Sequence, residues 1–434
     1  MSPARIAVVG AGWAGLAAAI DLQDRGHRVT VLEVRHEPGG RARQLPRPNF
    51  QAPLDNGQHL MLGAYTATLD LMQRLGCHPE QTLWRQPLTL RQADNSFALT
   101  TPRLPAPWHG LWALLSARGL TLAERHAAIR LVWRLRQRGW KTDGNLTVAD
   151  LLRQHGQPLS LANTLWAPLC LAALNTPYPR ACAQLFSRVL GDTLDAGAAA
   201  SDLLIPRTDL SALWPNAAAA RLDMQFGRQA RRLQPNTHDI VLDGATYDAV
   251  VLAVPPYMAS RLINNVPGSA ELVRLLGQFV YAPIATLTLQ LSASMPALPS
   301  PLLMLREDPA RGYVGQWVFD RTRLLNLDPT RPELTVVSSQ TEGLLDTPRG
   351  TLMQRLHIQL AEQVALPPVA QAELIVEKRA TFESVPGLVR PGNQTPWPRV
   401  VLAGDYTDTG YPAVLEGAVR SGLAAADLLH RQLA

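Results

Sequence analysis

RIAVVGAGWAG (Arg5–Gly15), followed one helix-length later by RVTVLE (Arg28–Glu33), is the stretch whose reading decides the fold. Arg5 to Val9 is rich in β-branched residues and alternates little, as expected of a strand buried on both faces of a parallel sheet. An alanine-rich run to about Arg25 reads as a helix, Gly26 as a turn, and Arg28 to Glu33 as a second strand, which completes one βαβ unit. Between the first strand and the helix stand Gly10, Gly12 and Gly15 in GxGxxG spacing. Three glycines fall into such register by chance often enough that the context has to carry the reading. In this context each glycine has a separate reason. Gly10 permits the tight turn, Gly12 lets the backbone approach a pyrophosphate, and Gly15 lets helix and strand pack closely. The helix N-terminus adds unsatisfied N–H groups and partial positive charge for the phosphates. Glu33 closes the second strand, where a carboxylate accepts ribose hydroxyl protons, and its charge would repel a 2′-phosphate. The unit therefore expects a dinucleotide, NAD or FAD rather than NADP.

The next loop separates the two. PGGRA (Pro38–Ala42) offers a glycine doublet for a second close approach to the pyrophosphate, with Arg41 as a fixed positive charge. Near the end of the chain come LAGD (Leu402–Asp405) and YPAVLEGAVRSG (Tyr411–Gly422), which without further context read as a strand, a turn and an apolar docking helix. With AVPP (Ala253–Pro256), these segments resemble the flavin amine oxidase superfamily, which includes phytoene desaturases and protoporphyrinogen oxidases. The resemblance implies FAD as cofactor, with Gly40 and Arg41 at the pyrophosphate and Asp405 near the ribityl chain or the pyrophosphate. It also implies Ala230 against the adenine, and the amides of Val414 or Leu415 at the flavin O2 edge, where a helix N-terminus stabilises negative charge.

A narrower likeness rests on LDNGQHLMLGAY (Leu54–Tyr65), EKRATF (Glu377–Phe382) and GDYTDTGYP (Gly404–Pro412). These blocks resemble the hydroxysqualene dehydroxylases of bacterial hopanoid synthesis, the squalene-associated FAD-dependent branch, although Tyr406 stands where tryptophan is more usual there. The resemblance adds Gly57 and Gln58 to the cofactor-binding set. It implies a reductive step in which a hydroxyl of hydroxysqualene is replaced by hydride, giving squalene and water. Such a step needs an acid for the leaving hydroxyl and a dry pocket; His59, Asp408 and Tyr411 are the candidate acids. His59 also reads as a hydrogen-bonded structural histidine, and Asp55 as a residue that orders its loop through backbone bonds. Amine oxidation, the competing chemistry of the superfamily, uses a lysine near the flavin and an aromatic cage. Lys378 is the sole lysine of its region and Val414 stands where a cage tyrosine is expected, so a hydrophobic polyisoprenoid is the better substrate. Two alternatives share every flavin motif: an oxidative desaturase of carotenoid-type polyprenes, and a non-catalytic prenyl-lipid-binding protein. With one dinucleotide fingerprint, assigned to FAD, the electron donor is left unidentified.

The whole chain of 434 residues is long enough for two or three domains. The expected fold class is α/β, a Rossmann-like FAD-binding domain assembled from 1–85, 215–265 and 395–434, with a mixed α+β substrate-binding domain from 86–214 and 266–394. The first insertion reads mostly helical, Leu120 to Arg138 most clearly, and the second carries strand-like runs at Tyr281 to Leu291, Glu333 to Ser339 and Leu374 to Phe382. Hydrophobic residues make up 47% and charged residues 18%, which excludes a disordered chain. Net charge is +6, and all but two of the 41 basic residues are arginines. No RNP, helix-turn-helix or zinc pattern points to nucleic acid. Instead the arginines and tryptophans of Leu120 to Trp140 read either as the solvated basic face of an ordinary helix or as a contact with an anionic membrane surface. Cys77, Cys170 and Cys182 form neither CxxC pairs nor an even framework, so no metal site is expected and a reducing compartment fits. Without a signal-peptide pattern or a spanning apolar run, the expectation is a cytoplasmic protein peripheral to the inner face of the membrane.

Overall fold

Parallel strands buried on both faces need helices on either side, and the first βαβ unit supplies the first of them. The structure, a computed structural model, describes residues 3–339 and 343–434. β1 (Arg5–Val9) lies between β2 (Arg28–Glu33) and Ala249–Leu252, parallel to both, with Ile6 opposite Val29 on one side and Ala249 on the other. Asp223–Phe226 extends the sheet beyond β2, and Val400–Leu402 extends it beyond Ala249–Leu252, again parallel. Three distant stretches of chain thus build one five-stranded sheet. Strands Ala245–Tyr247 and Ala249–Leu252 are separated at Asp248, whose carboxylate accepts the Arg5 N–H at 2.6 Å.

α1 (Trp13–Asp24) packs on this sheet beside the C-terminal helix Leu415–Leu433, burying Leu16 and Ile20 with Val419, Ala425 and Leu429. The approach requires Gly422, where a Cβ would lie 2.2 Å from the Ala14 carbonyl oxygen. Gly15 does the same for helix against strand: its Cβ would lie 2.0 Å from the Gly10 carbonyl oxygen.

A second sheet is antiparallel, in the order Leu302–Met304, Trp317–Asp320, Glu333–Ser339, Tyr281–Leu291, Val369–Phe382. Two of its strands have the bounds their apolar patterns suggest; the last begins at Val369, ahead of the expected Leu374, because it pairs with Tyr281–Leu291 along its whole length. Helix Arg349–Gln363 covers one face through Leu352, Leu356 and Leu360. The other face, with Ile284, Trp317, Phe319 and Val337, looks onto a cavity shared with the parallel sheet.

The first insertion is helical, with Trp108–Ser116, Leu122–Gln137, Val148–Gln154 and Ala183–Leu194 around a leucine-rich core. Leu122–Gln137 starts where it does because Thr121 and Glu124 form a capping box, each side chain bonding the other's backbone N–H. A π-turn at Ala162–Trp166 joins Leu159–Leu161 to Ala167–Leu174 and turns Leu165 and Trp166 toward an apolar cavity. Strand Leu203–Pro206 pairs with Met61–Leu62 and Leu83–Gln86, which anchors the helical layer to the loop leading out of the nucleotide fold.

Candidate active site

At the end of β1 the chain turns through Gly10 at φ +105°, a conformation open to glycine alone at low cost. Gly12 then caps α1 with neither a side-chain cap nor an acidic residue in the first turn, so the first-turn N–H groups have no side-chain acceptor. A Cβ at Gly12 would meet no protein atom within 4 Å, whereas one at Gly40 (φ +63°) would lie 3.0 Å from the Gly12 Cα. The Gly39 N–H donates to the Ala11 carbonyl at 2.8 Å. The two glycine loops therefore close on each other and present bare backbone to one side.

On that side runs a cavity of about 560 Å³. Glu33, Arg228, Gln229 and Ala230 line one part; Gly10, Gly12, Gly40, Arg41, Gly404 and Asp405 another; Gly57, Gln58, His59, Leu60, Val414 and Leu415 a third. The Glu33 carboxylate is buried and accepts the Ala11 N–H at 2.7 Å and the Arg35 N–H at 2.9 Å, which fixes it at the strand end while each oxygen keeps a lone pair for a further donor. An uncapped helix N-terminus over bare glycine backbone suits a pyrophosphate, and a fixed carboxylate at the end of β2 suits a ribose. These features fit FAD: Glu33 and Ala230 would hold the adenosine, Gly12 and Gly40 the pyrophosphate, and the Gly57 to Leu60 loop with Leu415 the flavin ring.

Two expectations need correction, and a third gains a partner. The Val414 N–H donates to the Pro412 carbonyl at 2.8 Å, so of the two amides offered to the flavin only that of Leu415, the first helical residue, lacks an acceptor within its helix. Arg41 carries its positive charge within an ion pair. It donates to both Asp405 oxygens, at 2.7 and 2.8 Å, and to the Ala380 carbonyl at 3.0 Å. Burial would lower the Arg41 pKa, but the Asp405 carboxylate outweighs it and holds the guanidinium above its ordinary value. Asp55, finally, reaches beyond its own loop. It accepts the Leu210 N–H at 2.9 Å and so ties the DNGQH segment to a distant turn.

Arg390 carries no mark in the sequence. Its guanidinium donates to the carbonyls of Asp405, Tyr406, Thr407 and Tyr411, gathering the whole loop that leads into the C-terminal helix. No side-chain pattern reveals such a residue, since all these acceptors are backbone.

A second cavity of about 150 Å³ adjoins the first, and Leu60, Tyr65, Trp317 and Val414 line both. Its wall is leucine, valine and aromatic side chains from the helical insertion, including Leu114, Val132, Trp166 and Phe186. The candidate acids separate here. Tyr411 lines this apolar cavity, its ring flanked by the guanidinium carbons of Arg420 at 4.8 Å and Arg188 at 5.6 Å from the centroid. Burial, then Asp192, raise its pKa, so the phenol keeps its proton. His59 lines the flavin cavity, and its Nδ1–H donates to the Gly57 carbonyl at 2.7 Å. Burial, against that bond, lowers its pKa, with Arg41 adding to the effect; the neutral ring presents an Nε2 lone pair rather than an acidic proton. Asp408 is exposed and lines neither cavity, because its carboxylate accepts the Gly410 N–H inside a surface turn. Lys378 is likewise exposed, on a strand whose neighbours Glu377 and Arg379 line the flavin cavity instead.

Residues 13–430 match the flavin containing amine oxidoreductase family. A hydroxysqualene dehydroxylase from Rhodopseudomonas palustris is 32% identical to this chain over 97% of each protein. A 15-cis-phytoene desaturase from an Oncidium hybrid cultivar is 24% identical over 98% of this chain and 78% of its own. Among solved structures, cyclohexylamine oxidase from Brevibacterium oxydans superposes with a TM-score of 0.68 at 17% identity, covering 99% of both chains.

Proposed function

The chain belongs to the hydroxysqualene dehydroxylase family within the flavin containing amine oxidoreductases, and from that premise we propose that it reduces hydroxysqualene to squalene. It is an FAD-dependent oxidoreductase. The observation that carries the substrate class is the apolar cavity that opens onto the flavin cavity across Leu60, Tyr65, Trp317 and Val414; an isoprenoid chain is the ligand such a wall selects by desolvation. In the reaction a C–O bond breaks and a C–H bond forms, and the hydroxyl leaves as water with one added proton. When bound, reduced FAD supplies the hydride. The protein excludes water around the reacting carbon through the leucine and aromatic wall, which strengthens every polar contact inside. The Tyr411 phenol, kept protonated by burial and by Asp192, is the candidate acid that reaches this wall; to protonate the leaving hydroxyl its single O–H turns from the Asp192 carboxylate to the substrate oxygen. His59 accepts at Nε2 and orients the loop beside the flavin through Gly57.

The test is anaerobic. Photoreduced holoenzyme mixed with hydroxysqualene is expected to reoxidise its flavin and release stoichiometric squalene. Tyr411→Phe should retain FAD but slow that reoxidation by about 10²-fold, the usual weight of one proton-transfer group. If the alcohol leaves the flavin reduced while a phytoene-type polyene bleaches the oxidised enzyme, the reaction is an oxidative desaturation instead.

A further inference from the structure

Helix Trp108–Ser116 has two apolar faces where a surface helix ordinarily has one. Gly110, Ala113 and Leu114 line the apolar cavity. On the outside, Trp108, Trp112 and Leu115, spaced i, i+4, i+7, are 62%, 56% and 52% exposed. Leu104, Leu122 and Trp133 are exposed nearby in sequence, so that six of the 13 exposed large apolar residues among those described fall within 104–133, including every exposed tryptophan. Single exposed apolar residues need no explanation, but a run along one helix face marks an interaction surface.

Within this stretch of chain the charge is nearly all of one sign, although Arg103 pairs with Asp202 and Arg136 with Asp195 from outside it. From 101 to 141 the chain carries seven arginines and one lysine against a single acid, Glu124, and that acid is buried and bonded to Thr121 and Ser160. The Arg125 guanidinium donates to the Leu115 carbonyl at 2.7 Å, placing a cation at the helix end, and Arg118 is exposed just beyond it. The helix expected to meet lipid, Leu120 to Trp140, has a smaller part in this surface: Trp140 is buried with its indole N–H on Asp195, and Arg136 pairs with the same carboxylate.

We infer that the outer face of Trp108–Ser116 docks on an anionic lipid surface, with Trp108, Trp112 and Leu115 at the headgroup–acyl boundary and Arg118 and Arg125 toward the phosphates. Tryptophan beside arginine suits that boundary, where one end of the surface is wet and the other oily. The same helix walls the apolar cavity, so a docked protein places one side of it against the bilayer and the other against the cavity. That a substrate passes between them rests on the polyisoprenoid reading above; the docking itself does not.

Co-sedimentation of the holoenzyme with phosphatidylglycerol vesicles and with phosphatidylcholine vesicles tests it. The wild type should pellet with the anionic vesicles, less so in high salt. Trp108→Gln/Trp112→Gln/Leu115→Gln should bind about tenfold less or weaker still, with flavin content and sedimentation coefficient unchanged. The conservative set Trp108→Phe/Trp112→Phe/Leu115→Met should keep most of the binding, which separates loss of the apolar face from misfolding. Equal binding by the glutamine variant, or no binding by the wild type, overturns the docking. So does a wild-type dimer that the glutamine set dissolves, since a second copy would then be the occupant. Because no arm uses hydroxysqualene, failure here and failure of the dehydroxylase reading are distinct results.

Discussion

Glycines at two positions of one motif look alike in the sequence and differ in what surrounds them. A Cβ at Gly12 meets nothing within 4 Å, while one at Gly15 would sit 2.0 Å from the Gly10 carbonyl oxygen and 3.0 Å from the Ala253 Cβ. Gly12→Ala is therefore expected to fold, with apo-protein stability within about 1 kcal/mol of wild type, yet to lose FAD because its methyl points where the pyrophosphate would lie. Gly15→Ala has to separate helix from strand and should lose about 2–3 kcal/mol or more. Urea unfolding of the flavin-free proteins, with flavin absorbance after gel filtration, checks both; full flavin retention by Gly12→Ala would contradict the assignment of this backbone to phosphate. The motif shows that both positions are glycine for a reason. Only the folded arrangement separates a ligand-facing reason from a packing one, because the Ala253 contact comes from a segment far along the chain.

Elements show a different limit. The C-terminal helix is legible from its alanine-rich pattern, but the part Glu416 plays within it is not. Fully buried, this carboxylate accepts the N–H groups of Ala67 and Thr68 and the Thr68 hydroxyl, at 3.0, 2.9 and 2.7 Å. It caps helix Thr66–Arg74 from outside, where a negative charge meets the positive end of the dipole. Glu416→Gln keeps the shape and removes the charge, and should cost about 1–3 kcal/mol while raising amide hydrogen exchange at Ala67 and Thr68 ahead of the rest of the fold. Unchanged protection there would show that the cap contributes nothing. A sequence pattern finds a cap only when the capping residue is local, as in the Thr121 and Glu124 box; this one is 348 residues away.

Across the molecule, buried titratable groups set the pH response. Burial, the largest cause at each, holds His27, His59, His109 and His155 below the ordinary imidazole value. Below about pH 6.5 the unfolded chain then binds protons more readily, and these histidines erode stability as pH falls. Asp55 works the other way: burial raises it to about 7 from 3.8, so its ionisation costs stability as pH rises between those values. Asp55→Asn removes that cost alone. Its melting temperature in the flavin-free protein should exceed wild type by at least roughly 2 °C at pH 8, and the margin should shrink toward pH 5. A pH-independent offset in calorimetry would refute the cause. By itself the sequence determined the βαβ unit and its two glycine loops, because each rests on local backbone demands that few residues satisfy. It could not choose among His59, Asp408 and Tyr411, or between Leu120–Trp140 and Trp108–Ser116 as the outward apolar face. Those choices depend on which side chains are covered by surfaces distant in the chain, and burial of that kind exists only once the tertiary structure has formed.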